Sequence, residues 1–210
     1  MTQIAAFMTL SPALAAALFM PAAAGLLYQS MQPYPWPHRL LALALSLMSF
    51  EQAHMARVDL RHVDLVAQRI SDLRLRHFDQ VVMLTIFGQL LGFSVAAAGH
   101  LGWGMALILV SLVGFNLAAT IRLEPGTAKP IQAAGWRSRL DVLTLDAIAL
   151  LLALLWIAQK FQAWVAGGLF AIAVLYGASK LSAYIAAARQ KSLVHVAHAA
   201  QEHPQTPQQN

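Results

Sequence analysis

The sequence predicts an all-α integral membrane bundle of six transmembrane helices, set as three hairpins with an amphipathic cytoplasmic connector helix. Three observations carry that prediction. Of the 210 residues, 59% are hydrophobic and only 11% are charged, where a soluble domain carries about 25% charged residues. The apolar residues gather into six runs close to the ~20 residues that cross ~30 Å of hydrocarbon. Lys and Arg are divided very unequally among the segments between those runs. A mean hydropathy of +0.59 agrees. Such a chain has too little polar surface for a soluble globular protein, a disordered chain or a nucleic-acid-binding domain. It has no cysteine, which removes disulfides, thiolate metal sites and cysteine nucleophiles together.

The first span covers residues 4–28 and contains no charge. Ala22, Ala23 and Ala24 resemble a signal-peptide cleavage site, but no Lys or Arg precedes the run, so the span is expected to be retained. The second span covers 39–56 and holds Glu51, Gln52 and His54 near its end. The third covers 81–99 and the fourth 103–121. The fifth, 140–158, contains Asp141 and Asp146, and the sixth, 162–184, contains Lys180. With the N-terminus in the cytoplasm, the cytoplasmic segments hold Arg57, Arg61, Arg69, Arg74, Arg76, Arg122, Lys129, Arg137, Arg139, Arg189 and Lys191. The outer segments hold Arg39 and Lys160. Eleven against two sets both termini in the cytoplasm, and a bacterial inner membrane is the expected location. Trp36, Trp103, Trp156 and Trp164 then fall at the outer interface, where tryptophan rings settle.

Between the second and third spans, residues 57–79 read as an amphipathic helix. Val63, Val66, Ile70 and Leu73 recur at helical spacing, opposite Arg61, Asp64, Gln68, Asp72 and Arg76. Asp72 and Arg76 stand four apart in the favourable order. Arg61, Arg69, Arg74 and Arg76 are candidate contacts to anionic lipid or a partner subunit, although interleaved acids also suit a solvated helix. Residues 122–139 contain Pro125, Gly126 and Pro130 and read as an irregular loop. The transmembrane domain is expected over 1–191, and the polar tail 192–210 is expected to be disordered.

Two stripes suggest close helix packing. Ala13, Ala17, Pro21 and Gly25 repeat every four residues, and Gly88 and Gly92 form a GxxxG pair. Small side chains let backbones approach, and close packing drives association in lipid. Both stripes are expected to serve packing within the bundle rather than a homo-oligomer.

Ionisable groups inside a span are costly unless paired or hydrated. Glu51, His54, Asp146 and Lys180, with the neutral Gln89 and Asn116, are therefore the candidate pathway groups. On helix position most of them belong to the inner half of the bundle, with Gln89 nearer the middle, and Asp146 is expected to meet Lys180. Histidines at both ends (His38 and His100, His54 and His77) raise the question of haem b. The separations rotate each stacked pair by about 140–160°, so no shared ligand face forms, and no cofactor is expected. A single Glu51-x-x-His54 lacks the second copy that a di-iron bundle needs. No nucleotide loop, nucleophile elbow or zinc-protease motif appears, and no enzyme is expected. The leading expectation is passage of a small solute or ion. The alternatives are a non-catalytic subunit or assembly factor of a membrane complex, and a haem-bearing electron-transfer subunit.

Overall fold

The computed structural model describes residues 10–127, 129–175 and 177–178. Two units make up the chain, Met1–Ala171 and Ile172–Asn210. The interhelical packing and the cavity described below lie in the first. The order is α1 (Pro12–Met31), α2 (Trp36–Ala67), α3 (Leu73–Ala97), α4 (Leu101–Ala118), β1 (Ile121–Leu123), β2 (Ile131–Ala133), a 3-10 turn (Trp136–Arg139) and α5 (Leu140–Ile157). A further helix, α6, is described over Gln162–Leu175. The fold is mostly helical. Four helical segments are long and apolar enough to cross a membrane: Pro12–Met31, Leu73–Ala97, Leu101–Ala118 and Trp136–Ile157.

Three tight turns gather at one end. Gln29, late in α1, donates its Nε2 to the carbonyls of Ala96 (3.2 Å) and Ala97 (2.5 Å), late in α3. Gly102, early in α4, lies against Trp156 and Ile157, late in α5. The α3–α4 turn needs Gly99, whose φ of 98° is a conformation that a Cβ disfavours. Trp36, Trp103 and Trp164 are exposed around this end, whereas Trp156 is buried. Trp156 lies at this same end, but its ring packs against Gly102 instead of standing exposed.

Helices α1 and α2 share the most extensive contact. Ala15, Phe19, Ala22, Ala23 and Leu26 of α1 are buried, as are Leu41, Ala42, Leu45, Ser46, Ser49 and Ala53 of α2. Ser46 Oγ donates to the Ala23 carbonyl at 3.0 Å, and Ser49 Oγ to the Phe19 carbonyl at 3.3 Å. This corrects the expected packing stripe. Ala13, Ala17 and Pro21 are exposed, and Gly25, half-buried, sits against Ala97. The buried stripe is offset from the one at strict four-residue spacing, because 3.6 residues per turn drift a four-residue repeat around the helix.

The α3–α4 seam runs along Gly88 and Gly92. A Cβ on Gly92 would stand 2.6 Å from Ile108 Cγ1 and 2.8 Å from the Gly104 carbonyl. One on Gly88 would stand 3.0 Å from Ser111 Cβ.

The other end departs from the sequence reading in two ways. The single helix expected over 57–79 is divided: residues 57–67 prolong α2, 68–72 leave the helix, and 73–79 open α3. The break falls where Asp72, in extended conformation, caps α3 by accepting from the Arg74 backbone N–H at 2.8 Å. Its carboxylate, expected to face Arg76, also pairs with the Arg74 guanidinium at 2.7 Å. The loop expected over 122–139 contains an antiparallel hairpin, with Arg122 opposite Gln132. Ile121 and Leu123 point inward and Arg122 outward, the period-two alternation of a half-buried strand. Gly126 takes φ 93° in the turn, and Gln132 Nε2 donates to Glu124 Oε2 at 2.6 Å across the strands.

Candidate functional site

A cavity of about 620 Å³ opens at the hairpin end, within the first unit. Five parts of the chain build it. α2 contributes Met55, Val58, Asp59 and His62. α3 and α4 contribute Phe78, Phe115 and Asn116. The hairpin adds Ile121, Arg122, Leu123 and Gln132, and the 3-10 turn with the start of α5 adds Ser138, Arg139 and Val142. The prolongation of α2 past residue 56 makes the site: Asp59 and His62 lie beyond the expected span. Steps of three and four bring Met55, Val58 and His62 onto one face. Glu51 belongs to the same face one turn before Met55, and its Oε1 is buried without a hydrogen-bond partner.

Arg139 is held from several sides. Its Nη2 donates to the Ile121 carbonyl at 3.2 Å, and its guanidinium lies 5.2 Å from the centre of the Phe115 ring. Asp59 attracts its charge and Arg122 repels it. Phe115 packs edge-on against Phe78 with centroids 6.1 Å apart. Arg122 is largely exposed and meets Glu124 through its Nε at 3.6 Å. Burial, aided by the charge of Arg61, lowers the pKa of His62 and favours its neutral form.

Asn116 connects this cavity to the bundle interior. It lines the cavity, and its Nδ2 donates to Asp146 Oδ2 at 3.0 Å. Both residues are buried. Asp146 stands about 9 Å into α5 at 1.5 Å per residue. A carboxylate that is buried and hydrogen-bonded by a cavity residue is placed to accept or release a proton, or to meet a cation, once water enters.

The structure brings together two of the six candidate pathway residues, Asn116 and Asp146. Gln89 is buried elsewhere and donates its Nε2 to Gln52 Oε1 at 2.9 Å, tying α3 to α2. His54 is exposed on α2. Lys180, its expected pairing with Asp146 and the tail 192–210 lie outside the described residues, as do residues 1–9. The candidate lipid contacts do not share one helix face. Arg61 is exposed on α2, Arg69 in the break, and Arg74 and Arg76 at the start of α3. Of the histidines weighed for haem, His77 and His100 are exposed, and His38 packs on Tyr34 with ring centres 4.4 Å apart. No group of three or more potential metal ligands occurs among the described residues.

Sequence reasoning missed Asp59, His62, Arg122, Gln132 and Arg139 as members of one site. The arginines register in the sequence as topology-setting charges. The available signal was the Glu51–Met55–Val58–His62 spacing, which continues a single helix through the expected boundary at 56.

No family model, no curated protein and no solved structure matches this chain.

Proposed function

We propose that this chain is a six-span membrane protein of a bacterial inner membrane, with both termini in the cytoplasm, and that it passes a small solute or ion. In this reading the cavity is the cytoplasmic vestibule and Asp146 is the group that meets the passing ion. The carrying observation is Asn116, which lines the cavity and hydrogen-bonds the buried Asp146. The eleven-to-two division of Lys and Arg supports the orientation. The gathering of the three tight turns at the opposite end agrees with three hairpins, with residues 39–56 of α2 and residues 162–184 as the second and sixth spans.

Protons are the ion to test first, because a buried carboxylate is a natural relay for them. Protein in liposomes with an internal pH dye should dissipate an imposed pH gradient, and Asp146→Asn should not. Equal rates for the wild type, the variant and empty liposomes would remove proton passage. Orientation is read separately. The chain has no cysteine, so His62→Cys gives a single thiol at the cavity, which a membrane-impermeant reagent should label from the cytoplasmic side alone.

One observation favours the alternative of a subunit in a larger complex. Ala13, Ala17 and Pro21 form an exposed stripe on α1, and small side chains suit close approach of another helix. Ala17→Cys should then crosslink to a co-purifying membrane protein, and recovery of an uncrosslinked chain in native membranes would count against this reading.

A further inference from the structure

We infer that the cavity at the hairpin end takes a single-chain anionic amphiphile, with a carboxylate or phosphate head between Arg122 and Arg139 and an apolar tail along Met55, Val58 and Phe78. The inference rests on the reading of this cavity as the protein's working site, and does not require that anything crosses the membrane.

Charge comes first. Arg122 and Arg139 both belong to the cavity walls, Arg122 at the exposed rim, and their like charges repel. Asp59, the acidic wall residue, acts on Arg139. His62 is held towards its neutral form. The walls therefore carry a net positive charge. Glu124, which is not a wall residue, engages Arg122 through Nε at 3.6 Å. A guanidinium carries five N–H donors and binds carboxylate or phosphate with its planar fork, so Arg122 retains donors for an anion. An oxyanion there would relieve the repulsion between the two arginines.

Shape and polarity then decide between a bare anion and an amphiphile. The cavity, about 620 Å³, is of the size that holds small organic ligands, roughly 300–1,000 Å³. A water occupies about 30 Å³ of liquid, so an inorganic anion would fill only a small part. Ile121, Leu123 and Val142 join the three apolar residues named above as walls. A bare anion would leave those walls to water, and a wholly apolar ligand would strand the guanidiniums, so both demands are met by one molecule with an acidic head and an apolar tail. In the proposed orientation the cavity stands at the inner membrane interface, where such molecules concentrate whether they come from the cytosol or from the bilayer.

The test uses the full chain in nanodiscs of neutral phosphatidylcholine. Ser138→Cys, at the cavity wall, carries an environment-sensitive dye. The probes share one tail: dodecyl phosphate, dodecanoate and dodecyltrimethylammonium, with inorganic phosphate as the head alone. Saturable emission changes are expected for the two anionic amphiphiles and not for the cationic one. Inorganic phosphate should bind at least tenfold more weakly than dodecyl phosphate. Arg122→Gln, at an exposed position that leaves the Arg139 contacts in place, should weaken dodecyl phosphate about tenfold, as loss of a charged hydrogen bond does. Adding the probe from solution, or preloading it in the nanodisc lipid, separates the two sources.

Equal responses to anionic and cationic probes would show membrane partition and overturn the inference. Inorganic phosphate binding as tightly as dodecyl phosphate would overturn the tail. Unchanged affinity in both Arg122→Gln and Arg139→Lys would overturn the head site. Because flux is measured in liposomes without these probes, loss of binding with proton flux intact would overturn this inference alone, whereas binding without proton flux would support it and remove only the proton-passage reading.

Discussion

The α3–α4 seam and the cavity end are built from opposite residue choices. Along the seam, Gly92 and Gly104 bring two backbones so close that an added methyl would collide with the neighbouring helix, and one on Gly88 would press tightly on Ser111. At the cavity end, side chains from α2, α3, α4, the hairpin and α5 meet around open space and leave charged groups facing it. Lipid offers little hydrophobic drive between helices, so stability must come from close packing and satisfied polar groups. The contrast teaches that the seam holds two helices together by close packing, while the cavity end gives up packing for open space lined by charged groups.

The largest expected effect breaks the seam. Gly104→Leu should destabilise the protein by about 3 kcal/mol, the upper part of the usual cost of overpacking, because the new side chain must enter the Gly92–Ala96 backbone. Gly114→Ala on the same helix is the control, since a Cβ there meets nothing within 4 Å and alanine favours helix by up to about 1 kcal/mol. Thermal unfolding in mild detergent reads both. Equal melting temperatures for the two variants would mean that the seam yields freely and that the contrast with the cavity end is false.

The next prediction sharpens the boundary between the two regions. Asn116→Leu removes the hydrogen bond to Asp146 and leaves a buried carboxylate without that donor, which costs about 1–3 kcal/mol. Asp146→Leu strands the Asn116 amide in the same way. The double variant should lose less than the sum of the two, and a double-mutant cycle on melting free energies measures the difference. Strict additivity would show that the pair does not couple cavity to interior. The same cycle on Asp146 and Lys180 tests the ion pair expected from the sequence.

How far these regions were legible in the sequence follows from the range of the signals. The apolar runs for α1, α3, α4 and α5 announce themselves because each contributes its own 18–25 residues of helix. Gly88 and Gly92 were readable as packing residues, since a small side chain has the same consequence wherever its partner comes from. Asn116 and Asp146 stood out as polar groups in apolar runs, but their pairing depends on which helices are neighbours. Gln89 bonds Gln52, a polar residue visible near the end of the second span, but the pairing again depends on which helices are neighbours. The hairpin was invisible because three-residue strands across a Pro-Gly turn carry too little periodicity. The cavity was hidden because its five parts span residues 55–142, and arginines that set topology look the same as arginines that line a pocket.

A smaller effect tests a third kind of contact, the α1–α2 interface, where hydroxyls rather than glycines or charges face the neighbouring helix. Ser46→Ala and Ser49→Ala each remove a donor to an α1 carbonyl. Interhelical hydrogen bonds of this kind average about 0.6 kcal/mol. Each variant should therefore lower thermal stability measurably but far less than Gly104→Leu. A loss as large as the glycine variant's would place the main tie of the bundle here and not at α3–α4.

The smallest effect concerns Asp72, at the break that separates α2 from α3 near the cavity end. The side-chain hydrogen bond from Arg74, aided by the Arg74 backbone N–H, holds the Asp72 carboxyl below its usual range. A depressed folded pKa means that the cap contributes fully above the unfolded value, near 3.9 for aspartate, and is lost as pH falls through the lower folded value. Solvent screens this exposed pair, so the consequence should be local: fraying of the first turn of α3 rather than melting of the bundle. Hydrogen exchange of the Arg74 amide is the measurement, corrected for intrinsic rates at each pH. In the wild type, protection should hold from neutral pH down to about 4 and then fall. Asp72→Ala should lack that protection at neutral pH and show no such step in acid. If wild type and variant exchange alike at neutral pH, Asp72 does not set the start of α3. The division of residues 57–79 into two helices, which gives the cavity its α2 wall, would then rest on the tertiary contacts of α2 and α3 alone.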